Sequence, residues 1–354
     1  MKFPKRLHPT AALVTMALFL LGCQDDLPRI SLVSEMDIFG HRVEVEGDPQ
    51  RATPAKGERA TITWSIVYPE IRDDNDEHIS ILALECSMPE RYTGRPICAE
   101  FLEGGLAEIL RDGIPSGADG AAPSGFRCTD DAILPFQTLA LHCLRGHTDT
   151  TFEVAEDFAG AGRLFTGIVC RNGIPEFGAE GFTCAENDDA EGPLEVEEFY
   201  SSVAVQQDDE SSNHNPELSA LSLRLDGESW PAWEGNMLPT ADDCDPASPQ
   251  FPEIPADEVM TLEVGYAAND REQVDGKSEV MRISHRATDG SFSSSASYLP
   301  RDRKADKNGL LLAEVDWETP PADQKSERLI RFYFAVRDGR GGFAATERFA
   351  CRSQ

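Results

Sequence analysis

Residues 329–351 read LIRFYFAVRDGRGGFAATERFAC. Ile330, Phe332, Phe334 and Val336 fall on one side of an extended chain, and Arg331, Tyr333 and Arg337 fall on the other. Such a period of two is what a strand with one apolar face requires, because successive side chains leave a pleated strand on opposite sides. The run Asp338-Gly339-Arg340-Gly341-Gly342 then turns the chain back into Phe343, Ala345, Phe349 and Cys351. A Gly-rich loop between two alternating runs is a hairpin signal.

Working outward, the same pattern recurs. Leu311, Ala313, Val315 and Trp317 alternate, as do Met260, Leu262, Val264 and Tyr266, and Leu221, Leu223 and Leu225. In the first half, Ala60, Ile62, Trp64, Ile66 and Tyr68 alternate with Thr61, Thr63 and Ser65 after the turn at 54–58. Residues 79–86 (ISILALEC) are apolar on both faces and read as a fully buried strand. Strand-like runs continue at 134–144, 151–155, 163–170 and 199–205. Residues 99–110 suit a short helix, and the Gly/Pro/Ala-rich 112–125 reads as a loop or insertion. The acidic stretch QDDESSNHN (207–215) reads as a linker. Many short strands with frequent turns and few helical periods predict an all-β chain of β-sandwiches, and 354 residues suit about two domains. The expected division is 41–206, with disulfide-braced loops and an insertion near 99–145, and 216–354. Trp64 and Trp317 are expected as core anchors.

The N-terminus carries a different message. Lys2, Lys5 and Arg6 precede an apolar run from Ala11 to Leu21, a secretory signal too short for a stable membrane-crossing helix. The sequence Leu20-Leu21-Gly22-Cys23 resembles the lipobox of bacterial lipoproteins. That resemblance implies cleavage of residues 1–22, acylation of Cys23, and a lipidated tether over 23–40. It also implies a cell-envelope location on membrane lipid, with two or three acyl chains giving firm anchoring. Gln24, where an Asp would signal retention, points to the outer membrane.

Nine cysteines are present. With Cys23 assigned to lipid, eight remain: Cys86, Cys98, Cys128, Cys143, Cys170, Cys184, Cys244 and Cys351. An even number in an oxidising compartment reads as disulfides. The first six fall as near neighbours, 86/98, 128/143 and 170/184, although six cysteines allow fifteen connectivities. Cys244 and Cys351 have only each other in the C-terminal half. No C-x₂-C pair suggests zinc.

The formal charge is −31, which disfavours nucleic acid and anionic membrane surfaces. No H-E-x-x-H or G-x-S-x-G occurs, and no cofactor fingerprint is present. His41, His78, His142, His147, His214 and His285 are expected in surface or packing roles, although a triad can be assembled from residues far apart in sequence. The carboxylate clusters Asp73/Asp74/Asp76/Glu77, Glu186/Asp188/Asp189 and Asp242/Asp243/Asp245 are the kind of loop oxygens calcium seeks, but none has EF-hand spacing.

Three pieces of the second half carry a further resemblance: MTLEVGYAAND, RISHRATDGSFSS, and RFYFAVRDGRGG followed by FAATERF. Together, Glu258–Cys351 resembles bacterial immunoglobulin-like domains related to cadherin and polycystic-kidney-disease-type modules. In the first half, GERATITWSIVYPE resembles their early strand and TTFEVAEDFAGAGRLFTGIVC their late pair. The plan of two such domains behind a lipobox resembles predicted lipoproteins of myxobacteria-like organisms. The resemblance implies a membrane-anchored, non-catalytic module that binds a protein or glycan partner. The alternatives are a calcium-dependent ligand- or glycan-binding module and, third, a hydrolase without a recognisable motif. The cadherin calcium string Asp-x-Asn-Asp-Asn is absent, so calcium ligands do not carry over.

Overall fold

The structure is a computed structural model. It describes residues 31–353 apart from 70–77, 89–125, 137–138, 179–180, 188–189, 191, 208–209, 236–237, 246–247, 275 and 323–327. Cys23, Cys98, the helix expected at 99–110 and the loop 112–125 lie outside the described residues.

The first half carries strands β1 (Asp37–Val45), β2 (Arg59–Val67), β3 (Ile79–Met88), β4 (Phe126–Arg127), β5 (Ala132–Phe136), β6 (Leu139–Arg145), β7 (Asp149–Glu153), β8 (Gly162–Arg171), β9 (Gly173–Gly178), β10 (Gly181–Glu186) and β11 (Glu195–Ala204). The second carries β12 (Leu221–Leu225), β13 (Glu228–Ser229), β14 (Glu253–Ile254), β15 (Val259–Ala267), β16 (Gln273–Val274), β17 (Lys277–Ser278), β18 (Met281–Ala287), β19 (Ser291–Phe292), β20 (Ala296–Leu299), β21 (Leu310–Glu318), β22 (Leu329–Arg337) and β23 (Phe343–Arg352). The chain is all-β, built of β-sandwiches. In the first half, β1-β2-β7 faces β11-β8-β3-β6-β5; in the second, β13-β12-β15-β21-β19 faces β14-β23-β22-β18-β20. Lettering β12, β15, β18, β21, β22 and β23 as A, B, C, E, F and G gives sheets A-B-E and G-F-C, the immunoglobulin-type order. The same lettering fits β1, β2, β3, β7, β8 and β11. The pair expected to close the first sandwich, 150–170, divides between the two sheets. It is β11 that pairs with β8.

Each sandwich has an aromatic centre. Trp64 lies 1% exposed, edge-on to Phe165 and Phe199, and its indole N–H donates to Ser201 Oγ at 2.9 Å. Trp317 and Trp230 hold the second core against Phe332, their N–H groups bonded to the carbonyls of Asp289 and Phe349. Buried indoles satisfied this way contribute area without leaving a donor orphaned. The alternation around Trp230 is too short to have marked it as a core residue.

The two faces of β3 explain its apolar run. Ile79, Ile81 and Ala83 enter the sandwich core, whereas Leu82, Leu84 and Cys86 join a second cluster on the outer face. That outer face is covered by a third sheet, β10-β9-β4. Disulfides Cys128–Cys143 and Cys170–Cys184 tie the cover to β6 and β8, and Cys86 of β3 is also disulfide-bonded. Closing loops of 15 and 14 residues is each worth about 3 kcal/mol in the chain-entropy account. In the second sandwich Cys244–Cys351 spans 107 residues and pins the loop after β13, with Phe251, against Leu329 and Phe349.

Three boundaries differ from those expected. The tether assigned to 23–40 ends earlier, because Val33, Met36 and Phe39 are buried and β1 starts at Asp37. Residues 132–145 of the expected 99–145 insertion belong to the main sheet, where β6 pairs with both β3 and β5, while β4 joins the outer cover sheet. The 207–215 linker is built in at its end, where Asn213 and Asn215 are 1% and 3% exposed. Asn215 bridges the halves, its amide N–H donating to Val43 O at 2.7 Å and its Oδ1 accepting from Phe343 N at 3.1 Å. Val33, Phe39 and Val67 pack on Tyr333, Ala335 and Phe343. Consequently β22 is buried at every position but Arg337: on its second face the first sandwich covers Tyr333 and Ala335, and the disulfide-pinned loop after β13 covers Leu329.

Candidate functional site

Two places bring chemistry-bearing side chains together. The first is a polar strut inside the first sandwich. His142 on β6 has its Nε2 2.9 Å from Glu85 Oε2 on β3 and its Nδ1 2.9 Å from Thr150 Oγ1 on β7. Arg163 lies 3.4 Å from the second oxygen of Glu85. With Nε2 donating to the carboxylate, Nδ1 of a neutral imidazole accepts from the threonine hydroxyl. Hydroxyl, imidazole and carboxylate thus have the connectivity of a catalytic triad. Access decides against that reading. Thr150, His142 and Glu85 are 5%, 0% and 6% exposed, and Phe165 lies against the imidazole with ring centres 5.7 Å apart. The hydroxyl points into the inter-sheet core, so no substrate carbon reaches it while the sandwich is closed. The arrangement, with the Trp64–Ser201 bond, ties the two sheets together across a mostly apolar layer.

The second place is a cleft of about 270 Å³ beside the seam between the sandwiches. Its walls come from five separate stretches: Gln50 after β1, His214–Glu217 of the connecting segment, Tyr266 with Asp270 and Glu272, Glu279 with Met281, and Asp338 of the β22–β23 turn. Five carboxylates line it, those of Glu217, Asp270, Glu272, Glu279 and Asp338. Arg340 ties Glu272 to Glu279, with Nε 2.5 Å from Glu279 Oε1, and donates to Ser211 O at 3.1 Å. His214 Nδ1 lies 2.5 Å from Glu272 Oε1. Burial pushes the Glu279 carboxyl up, opposed by its hydrogen bond to Arg340. Burial and the neighbouring Asp270 push the Tyr266 phenol up to about 12, and its O–H donates to Asp270 O at 3.2 Å.

The turn read from the sequence as a hairpin supplies one wall. Asp338 Oδ1 accepts the N–H groups of Arg340 and Gly342, both at 2.8 Å, while its Oδ2 is buried with no hydrogen-bond partner among the described residues. Gly341 has φ of 109°, and a Cβ on Gly342 would stand 2.7 Å from His214 O. The Gly-Gly pair is therefore required twice, once for conformation and once for close approach.

The clusters singled out in sequence lie elsewhere. Asp243 Oδ2 accepts from Thr240 N at 2.7 Å and holds a short turn, Glu186 is exposed, and Asp73, Asp74, Asp76, Glu77, Asp188 and Asp189 are outside the described residues. His41 donates to Ser202 O at 3.2 Å, His147 sits between Asp131 and Asp149, and His78 is exposed at the start of β3. His285 is fully buried beside Phe292 and bonded to Ser294 O, and burial lowers its pKa to about 4. Among the described residues no group of three His, Cys, Asp or Glu side chains is arranged to hold a metal ion. The cleft residues are scattered over 289 positions of sequence, so no local spacing could have marked them. No protein-family model matches the chain, and no curated protein matches it.

Proposed function

We propose that the chain is an exported lipoprotein, anchored through acylated Cys23, whose two joined sandwiches act as a non-catalytic binding or scaffold module for a protein or glycan partner at the cell envelope. One observation carries the non-catalytic part: among the described residues, the hydroxyl–imidazole–carboxylate set at Thr150, His142 and Glu85 is sealed in a core. The disulfide-stapled cover and the −31 formal charge suit an oxidising, aqueous setting. The acidic character leaves membrane attachment to lipid rather than to a basic surface.

Two measurements test the reading. Cys23→Ala should move the protein from the membrane pellet to the soluble exported fraction, and mass spectrometry should find acyl chains on Cys23 of the unaltered protein. A variant that stays in the pellet, or a wild-type terminus without lipid, removes the anchor. Photo-crosslinking from Gln50 in intact cells should capture a discrete partner; ester or glycoside hydrolysis by the purified protein would overturn the non-catalytic half. The calcium-dependent alternative has one specific support, the Oδ2 of Asp338, which lies among cleft carboxylates with no hydrogen-bond partner among the described residues. It requires a rise in melting temperature at millimolar calcium, reversed by chelator.

A further inference from the structure

Besides the bonds from Tyr333 O–H to Tyr68 O and from Arg42 to Phe343 O, the seam between the sandwiches has two bands of different covalent character. One is the connecting segment, where Asn215 N donates to Gln50 O at 2.7 Å and Ala52 N donates to Asn213 O at 2.8 Å. This band is continuous with both sandwiches and cannot leave either. The other is the segment 31–39, which belongs by sequence to the first sandwich but docks on the second. Leu32 forms a parallel bridge with Ala287 of β18, with Val33 N donating to Ala287 O at 2.9 Å and Ala287 N donating to Ser31 O at 3.0 Å. Val33 and Phe39 are 3% and 4% exposed against Tyr333, Ala335 and Phe343. Asp37 pairs with Arg286, and Arg337 donates to Phe39 O while its guanidinium lies 5.9 Å from the Phe39 ring. Val33 and Phe39 form a small cluster with Val67, Tyr333, Ala335 and Phe343 outside the core of either sandwich, while Met36 and Ile38 pack on the first core and keep the segment attached to that sandwich.

We propose that residues 31–39 are a latch: their docking on β18 and β22 closes the two sandwiches about the 213–215 hinge, and their release opens the seam while both sandwiches stay folded. The seam cleft takes Gln50 from the first sandwich and its other walls from the hinge and the second, so its width follows the latch. Two parallel-bridge hydrogen bonds and a handful of side chains hold the latch on the second sandwich, whereas ladders of ten residue pairs in the first sandwich and nine in the second hold the sandwiches themselves. Local openings draw on the least-supported contacts first. Because residues 31–35 of the latch precede β1 and the core residue Met36, a pull delivered from the N-terminal side would reach them before either sandwich. That makes latch docking and cleft width thermodynamically coupled in both directions. The geometry stands whether or not Cys23 is acylated.

The test uses the full chain. Val33→Asp places a charge in the seam cluster and leaves both cores intact. Small-angle scattering of this variant should show a larger maximum dimension than wild type, and calorimetry should resolve two transitions in place of one. In unaltered protein, amide exchange at Val33 and Ala287 should share one rate, at least about tenfold faster than at Leu262 or Phe332. Unchanged scattering and a single transition in V33D would overturn the latch. So would exchange of Val33 and Ala287 at the core rate, and that arm decides the matter if V33D fails to fold.

Discussion

Replacing His142 by Leu tests whether the buried strut is structural. Among the described residues, the substitution leaves Glu85 with Arg163, at 3.4 Å, as its remaining side-chain partner. An uncompensated buried charge costs about 3–5 kcal/mol, and the orphaned Thr150 hydroxyl costs about 1–3 kcal/mol more. The remaining Arg163 contact and the apolar contacts of the new Leu offset part of this, about 1.5–3 kcal/mol. The expected net loss is about 3 kcal/mol, roughly a hundredfold in the folding equilibrium. Glu85→Gln removes the stranded charge, so the double variant H142L/E85Q should recover about 2 kcal/mol relative to the sum of the singles, a coupling within the range for contacting residues. Urea unfolding followed by fluorescence is the assay, since Trp64 sits 5.9 Å from the Phe165 ring that covers His142. A loss below about 1 kcal/mol for H142L, or strict additivity of the pair, would show that the three groups do not act as one buried unit.

Three other outcomes follow from burial and covalent geometry. His285, with its pKa lowered to about 4 from 6.5, contributes stability that is present above pH 6.5 and lost as pH falls through about 4; its ring protons in NMR should hold their neutral shift at pH 5. Burial holds the Tyr333 phenol up at about 12. Its contribution is present below pH 10 and lost as pH rises through about 12, so Tyr333→Phe should flatten the alkaline limb of the stability curve. That variant should cost only about 0.5–1.5 kcal/mol at neutral pH for the lost bond to Tyr68 O at 3.1 Å. Changing both Cys244 and Cys351 to Ala removes a cross-link over 107 residues; a loss of about 4–5 kcal/mol in the second sandwich is expected by denaturant titration, and an unchanged midpoint would contradict it.

The strands were legible wherever one face met a core and the other met water. Met260 to Tyr266 and Leu311 to Trp317 alternate cleanly, because β15 and β21 lie in a sheet whose outer face is open. Their partners were not legible, since alternation records which side is buried and not what buries it. The apolar run 79–86 signalled burial on both faces of β3, but only the folded chain shows the disulfide-tied sheet β10-β9-β4 as its cover. The spacing of 128/143, 170/184 and 244/351 named the pairs that the structure joins, because short loops meet easily and the last two cysteines had no rival nearby.

What the sequence determined by itself was local: strand period, the Asp338–Gly342 turn, and the apolar and basic pattern of the first 23 residues. Each depends on neighbours within a few positions, and that is the range over which backbone geometry acts. What tertiary structure alone decided was the second face of β22, the docking of Val33 on Ala287, and the meeting of Gln50, Glu217, Asp270, Glu279 and Asp338 around one cleft. Those depend on how the strands of the second sandwich bring distant loops together and on how the first sandwich fits against them. The contacts join residues hundreds of positions apart, and no periodicity along the chain records them.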